Sequence, residues 1–167
     1  MSTIFKAMDK SNVQSVAQIE KECFSHPWSE ASFYEELDNP LSFTVVAVGS
    51  QQSQDFENED VLGFINARII NDEVYINNIA VKKEFRRKGV GKGLLSALEK
   101  KAGKVNASFI TLEVRESNLP AISLYSSLGY EVSGKRKKFY RDPVENAVLM
   151  TKNLPQLFNN DWPEGIF

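Results

Sequence analysis

The 167-residue chain has one cysteine, Cys23, and one histidine, His26. A single thiol allows neither an intrachain disulfide nor a cysteine-based zinc cluster, and a single imidazole excludes any centre that needs two. So little cysteine fits a reducing compartment. Charge of one sign is also lacking: 20 Lys and Arg stand against 22 Asp and Glu, so no overall field draws the chain to nucleic acid. No apolar run approaches the roughly 20 residues of a membrane helix, and residues 1–10, MSTIFKAMDK, are too polar and broken for a signal-peptide core. The reading is a soluble, cytoplasmic protein without a membrane partner. Repeats and internal boundaries are absent too, which leaves one domain over residues 1–153 and a C-terminal tail, 154–167, carrying Pro155 and Pro163.

What is present is a mixed run of strand and helix patterns. Thr3 to Ala7 reads as a strand, and Ser11 as the N-cap of a helix carrying Val13, Val16, Ala17 and Ile19. Pro27 breaks that helix, Ser29 caps a second one with Phe33 and Leu37 a turn apart, and Asn39-Pro40 stops it. Residues 41–48, 61–70 and 73–81 are β-branched and aromatic, and Asn71-Asp72 turns the last two into a hairpin. Residues 49–60 form a polar loop. A glycine-rich turn, Gly89 to Gly93, opens a helix with Leu94, Leu95, Leu98 and Ala102, for which Gly103 is the expected cap. Residues 109–114, FITLEV, form a strand, and Ser117 or Asn118 caps a helix that Gly129 ends. Strands at 131–133, extendable to 139, and 144–151 complete the list. The order implies an α+β fold on one central, mostly antiparallel twisted sheet of six or seven strands with about four helices.

Two stretches carry chemistry. In the first, the strand ending Ile79-Ala80-Val81 leads into Arg86-Arg87-Lys88-Gly89-Val90-Gly91-Lys92-Gly93 and a helix. Glycine lets backbone approach a bulky anion, and the first N–H groups of a helix lack internal partners. Together with the helix dipole these bind phosphate. A merely tight turn with a basic rim has the same composition. Lys92 is followed by Gly93 rather than by a hydroxyl residue, which excludes the Walker phosphate loop, and the glycine spacing excludes the dinucleotide fingerprint.

Arg86-x-x-Gly89-x-Gly91 resembles the pyrophosphate motif, Q/R-x-x-G-x-G/A, of the GNAT superfamily of acetyl-CoA-dependent N-acetyltransferases. The second stretch is more specific. Leu112-Glu113-Val114-Arg115-Glu116-Ser117-Asn118, then Ala121, Leu124-Tyr125 and Gly129-Tyr130, resembles the signature of the subgroup that acetylates the N-terminal alanine of a ribosomal protein. Phe24 and Pro27-Trp28-Ser29 resemble that subgroup's F-P-W-S segment, with Ser25 and His26 inserted.

The resemblance implies the GNAT fold and acetyl-CoA as co-substrate, with no metal. Ile79, Ala80, Val81, Arg86, Arg87, Lys88, Gly89, Val90, Gly91, Lys92, Gly93 and Asn118 would hold the coenzyme, and a backbone N–H of the Ile79–Val81 strand would face the oxyanion. Glu113 takes the general-base position and Tyr125 that of the acid for the coenzyme thiolate; Trp28 and Tyr140 would line the acceptor channel. By pattern alone Glu113 is also a solvent-facing strand carboxylate, alternating with Leu112 and Val114, and Tyr125 a packing residue. Cys23 reads as a small buried hydrophobe and His26 as a loop residue. Glu145-Asn146-Ala147 departs from the subgroup's E-D-A. The expected partner is a protein N-terminus, from a small-subunit ribosomal protein, and the expected state a monomer or weak dimer. A lysine side chain, a small amine or an aminoglycoside is the alternative acceptor. A non-catalytic acetyl-CoA sensor, or a nucleic-acid module built on the run Lys135 to Arg141, is the alternative from another class.

Overall fold

Runs of β-branched and aromatic residues become seven strands: β1 Ser2–Ala7, β2 Ser42–Ser50, β3 Asp60–Ile70, β4 Glu73–Val81, β5 Phe109–Arg115, β6 Glu131–Arg141 and β7 Val144–Asn153. A computed structural model describes residues 2–50 and 60–155; of the expected polar loop, residues 51–59 lie outside the described residues, as do 156–167 of the expected tail. The helices are α1 Val13–Cys23, α2 Glu30–Asp38, α3 Val90–Lys104 and α4 Leu119–Ser127. The strands form one sheet in the order β1-β2-β3-β4-β5-β7-β6, in which only β4 and β5 run parallel. The fold is therefore the α+β arrangement expected, with a mostly antiparallel sheet. No described helix is long and apolar enough to cross a membrane.

Two apolar layers cover the sheet. Val13, Val16 and Ile19 of α1 and Phe33 of α2 pack on Val46, Phe64 and Ala80. On the other face Leu94, Leu95 and Leu98 of α3 and Tyr125 of α4 pack on Ile65, Val74, Ile110 and Met150. Coverage on both sides explains the nearly continuous apolar run of β3, buried from Val61 to Ala67.

Three expected helix ends move. The cap before α1 is Asp9, whose carboxylate accepts from Ser11 N at 2.8 Å and opens a single turn at Lys10–Asn12. A carboxylate there also draws in Lys6, 3.8 Å away. α3 runs through Gly103 to Lys104, and Asn106 takes the left-handed conformation at φ 53°. Gly91 and Gly93 lie inside α3, so of the three glycines Gly89 alone stands in the turn, at φ 84°, two positions after Arg87 at φ 61°. Once that turn has reversed the chain, the Val90, Leu94, Leu95, Leu98 stripe has a core face to bury and the helix starts at once. At the chain's described end, Leu154 packs on the core and its N–H reaches Ser108 O at 2.8 Å, so the tail is docked at its first residue.

Candidate active site

β4 and β5 are paired only from Glu73 to Tyr75 and from Phe109 to Thr111. Beyond that point the strands part, and a cleft of about 290 Å³ opens between them. Past Tyr75, β4 has β3 on one side and the cleft on the other, so alternate peptide groups face the cleft. β4 also carries a bulge: Ala67 faces Ile76 and Asn66 faces Asn78, leaving Asn77 as the extra residue.

The cleft collects residues from five parts of the chain. β4 contributes Ile76 to Ile79, β5 contributes Leu112 to Arg115, and Asn118 and Tyr125 come from the start and end of α4. Cys23 to His26 close one side and Tyr140 of β6 another. Of the residues singled out in the sequence, Glu113, Tyr125, Asn118, Ile79 and Tyr140 are thus brought together. The alternation of β5 is the expected one, with Ile110, Leu112 and Val114 buried and Glu113 only partly so. That partly open face is the cleft rather than bulk solvent. Asn118 caps α4 as expected, its Oδ1 accepting from Ala121 N at 3.3 Å.

Charge is arranged around the two candidate proton carriers. Glu113 is 28% exposed and pairs with Arg136 of β6, Oε1 to Nε, at 3.0 Å. Tyr125 is 5% exposed, and burial, with Tyr140 as a second influence, pushes its hydroxyl well above the ordinary phenol range. Burial first, then the neighbouring Glu113, likewise raises Tyr140, whose ring lies 4.2 Å from the Arg115 guanidinium. Arg115 also reaches Glu145, at 3.3 Å, and Glu145 accepts from Ser117 N at 2.5 Å, bonds that hold its carboxyl below the usual range. Asn146, the departure from E-D-A, does not line the cleft. Its side chain donates to Glu116 Oε2 at 2.8 Å and accepts from Lys138 N at 2.9 Å. An amide can do both at once; an ionised aspartate there would face the Glu116 carboxylate with like charge.

The turn before α3 fits a phosphate-bearing co-substrate on geometric grounds. A β carbon added at Gly89 would meet nothing within 4 Å, no side chain caps the helix, and its first turn holds no acidic residue. The first N–H groups of α3, from Val90, Gly91 and Lys92, therefore have no side-chain cap, and the dipole of a 15-residue helix stands behind them. Arg87, Lys88 and Lys92 are exposed around them.

Other expected contributors are elsewhere. Arg86 turns back, donating from Nε to Val81 O at 2.9 Å and approaching Cys23 Sγ at 3.4 Å. Ala80 is buried beneath the sheet, in the α1–α2 layer. A β carbon on Gly93 would lie 2.0 Å from the Phe5 ring, so this glycine serves the packing of α3 on β1. Trp28 does not line the cleft; its ring stacks 5.6 Å from that of Phe33. The basic run of β6 lies on the sheet edge, with Lys135 paired to Glu116 and Arg136 to Glu113, as suits an edge strand that must not pair further. Cys23 and His26, read as a buried hydrophobe and a plain loop residue, both border the cleft. Asn77 and Asn78 were missed, since a bulge leaves no trace in strand periodicity.

Known proteins agree with this geometry. Residues 13–130 match the Acetyltransferase (GNAT) family. The [ribosomal protein bS18]-alanine N-acetyltransferase of Escherichia coli is 30% identical over 153 residues, 90% of this chain and 96% of its own length. A Bacillus subtilis chain provisionally named for the same activity is 33% identical over 144 residues, 86% of this chain and 90% of that one. The crystal structure of the Escherichia coli ribosomal-protein-S18-alanine N-acetyltransferase superposes with a TM-score of 0.81 at 26% identity, covering 96% of this chain and 99% of that one. The chain belongs to the GNAT acetyltransferase family and is an acetyl-CoA-dependent N-acetyltransferase.

Proposed function

We propose that the chain acetylates the α-amino group of a protein N-terminus, an alanine of a small-subunit ribosomal protein, in the cytoplasm. The observation that carries the chemistry is the meeting of Glu113 and Tyr125 in one cleft between parted strands. When bound, acetyl-CoA supplies a thioester that an uncharged amine attacks with loss of the thiol. An α-ammonium has a pKa of about 8, so at neutral pH a base must take its proton. Glu113 is partly open to the cleft and carries that proton away, directly or through a water. Tyr125, kept protonated by burial, gives its proton to the departing sulfur and recovers one from the cleft. A backbone N–H of the Ile79–Val81 strand end stabilises the charge that develops on the carbonyl oxygen. Val90 to Lys92 hold the pyrophosphate, with Arg87 and Lys88 beside them, and Asn118 borders the coenzyme's path. His26, Phe24 and Tyr140 surround the acceptor.

The acceptor class is supported by the Escherichia coli relative, whose name specifies the alanine of bS18. The test is incubation with acetyl-CoA and three acceptors, followed by mass spectrometry. One is a peptide beginning with alanine followed by basic residues, one the same peptide blocked at its N-terminus and carrying lysine, and one spermidine. Modification of the free alanine alone is expected. Modification of only the lysine peptide or of spermidine overturns the acceptor and leaves the cleft chemistry standing.

A further inference from the structure

The carboxyl of Glu20 takes no part in that chemistry, yet it lies on α1 with 1% of the residue exposed. A buried carboxylate is costly unless both oxygens are well bonded. Only one is. Oε1 accepts from Asn78 Nδ2 at 2.6 Å and from Trp28 N at 3.2 Å, while Oε2 has no hydrogen-bond partner. Burial is the larger influence on this group and raises its carboxyl above the usual range, against the pull of those two bonds. The neighbouring α1 positions Val13, Val16 and Ile19 are apolar and fully buried, so packing alone would be served there by a leucine. A polar group kept at such a cost calls for a reason.

The reason lies in what Oε1 joins. Asn78 follows the bulge residue Asn77 on β4, and Trp28 lies in the irregular segment between α1 and α2, one residue before the α2 cap Ser29. These are the roots of two cleft walls, Asn77 to Ile79 and Cys23 to His26. The bulge is fastened a second time, because Asn77 Nδ2 donates to Asn66 Oδ1 at 2.7 Å. Asn66, itself fully buried, donates in turn to Thr44 Oγ1 at 2.8 Å and Ser42 Oγ at 3.1 Å. The β4 wall is therefore rigidly tied to the sheet, and Glu20 ties the 24–29 segment to that wall through one shared oxygen.

We propose that Glu20 is a positioning residue that clamps the 24–29 segment to the β4 bulge and so sets the acceptor's approach to Glu113 without touching the acceptor. The proposal rests on the reading of this cleft as the acceptor site. The α3 turn that holds the pyrophosphate belongs to neither wall, so the clamp leaves the coenzyme's main anchor in place.

Full-length variants assayed with the alanine peptide test it. Glu20→Gln keeps an oxygen able to accept both bonds, and its kcat/KM should stay within about threefold of the wild type. Glu20→Leu fills similar volume and accepts nothing; its peptide KM should rise about 10- to 100-fold while the Kd for acetyl-CoA stays within about twofold. Asn78→Asp sets two carboxyls against each other and should show the same KM loss. Combined with Glu20→Gln, the new amide donates to the new carboxylate, and peptide KM should recover to within about threefold of the wild type. That recovery would not follow from lost packing.

A folded Glu20→Leu variant with an unchanged peptide KM overturns the clamp, as does a double variant whose losses add instead of cancelling. If Glu20→Leu fails to fold, the exchange with Asn78→Asp decides alone. Glu113→Gln separates the two levels of inference. Inactivity of that variant beside normal Glu20 variants sinks only the clamp, whereas full activity of Glu113→Gln sinks the acceptor-site reading beneath it.

Discussion

Replacing Tyr125 by phenylalanine removes one oxygen and leaves the ring, which separates a proton donor from a packing residue. The side chain is 5% exposed and its ring centroid lies 5.9 Å from that of Tyr130, tilted by 57°. Phenylalanine keeps that contact. Losing one buried hydroxyl changes stability by about 1 kcal/mol in either direction, a shift of about 2–4 °C in Tm for a chain of this size. Loss of a general acid costs about 10- to 1000-fold, or roughly 1.4–4.1 kcal/mol in the barrier. The two effects fall on different measurements. Single-turnover acetylation of the alanine peptide, quenched and read by mass spectrometry, should slow by that factor while thermal unfolding barely moves. The pH profile adds a second check. Burial raises the Tyr125 hydroxyl, so the proton-bearing form is complete below the ordinary phenol value of about 10 and is lost only above the raised one. The wild type should therefore show no alkaline fall from this group up to about pH 10. A single-turnover rate within twofold of the wild type, at equal Tm, would refute the assignment of Tyr125 as the donor.

Three further substitutions probe the frame around the chemistry. Gly89→Ala meets no neighbour but must hold φ 84°, so about 1 kcal/mol of stability should be lost, and its methyl group stands before the open amides of α3. Titration calorimetry should find acetyl-CoA bound at least about tenfold more weakly, as expected when backbone approach to a phosphate is blocked; an unchanged Kd removes the turn from the coenzyme site. Gly63→Ala would bring a β carbon to 2.6 Å from Ala80 O, forcing β3 and β4 apart behind the cleft. A cost of about 1–3 kcal/mol should appear as a lower urea midpoint, and an unmoved midpoint contradicts the close strand approach. The third concerns Glu20 and pH. Its folded carboxyl is raised above the ordinary 4.5, so folding favours the protonated form; its stability contribution is complete below that value and is lost as pH rises through the folded one. Glu20→Gln does not titrate, so its urea midpoint should gain on the wild type between pH 4 and pH 7. An equal difference at both pH values would show that Glu20 is not raised by burial.

The expectations that failed share a cause. Ser11, Gly103, Gly91 and Gly93 were assigned to helix ends because their types favour ends, yet a cap is decided by which donor is left open once the helix docks. Asp9 supplies that cap from a turn earlier, and Asn106 takes the left-handed position after α3 has used Gly103 as an ordinary residue. Trp28 stands in a recognisable segment, and its ring went to Phe33 because a large apolar surface gains more in the α1–α2 layer than at a wet cleft. Cys23 and His26 carry no spacing signal, and they reach the cleft only because α1 ends beside β4.

What the chain determines by itself is local. The strands follow from β-branched runs, the β3–β4 hairpin from Asn71 at positive φ, and α4 from Asn118 and Gly129 at its two ends. Glu113, Asn118 and Tyr125 were legible because a single strand–turn–helix passage holds them within 13 positions, close enough for a motif to register. Tertiary structure alone decided the cleft. The parting of β4 from β5 after three pairs, the bulge at Asn77, the Arg136 partner of Glu113 and the Glu20 bonds to Asn78 and Trp28 join residues that sequence separates. Strand register and helix docking set those meetings, through burial of faces that no local pattern can assign to one another.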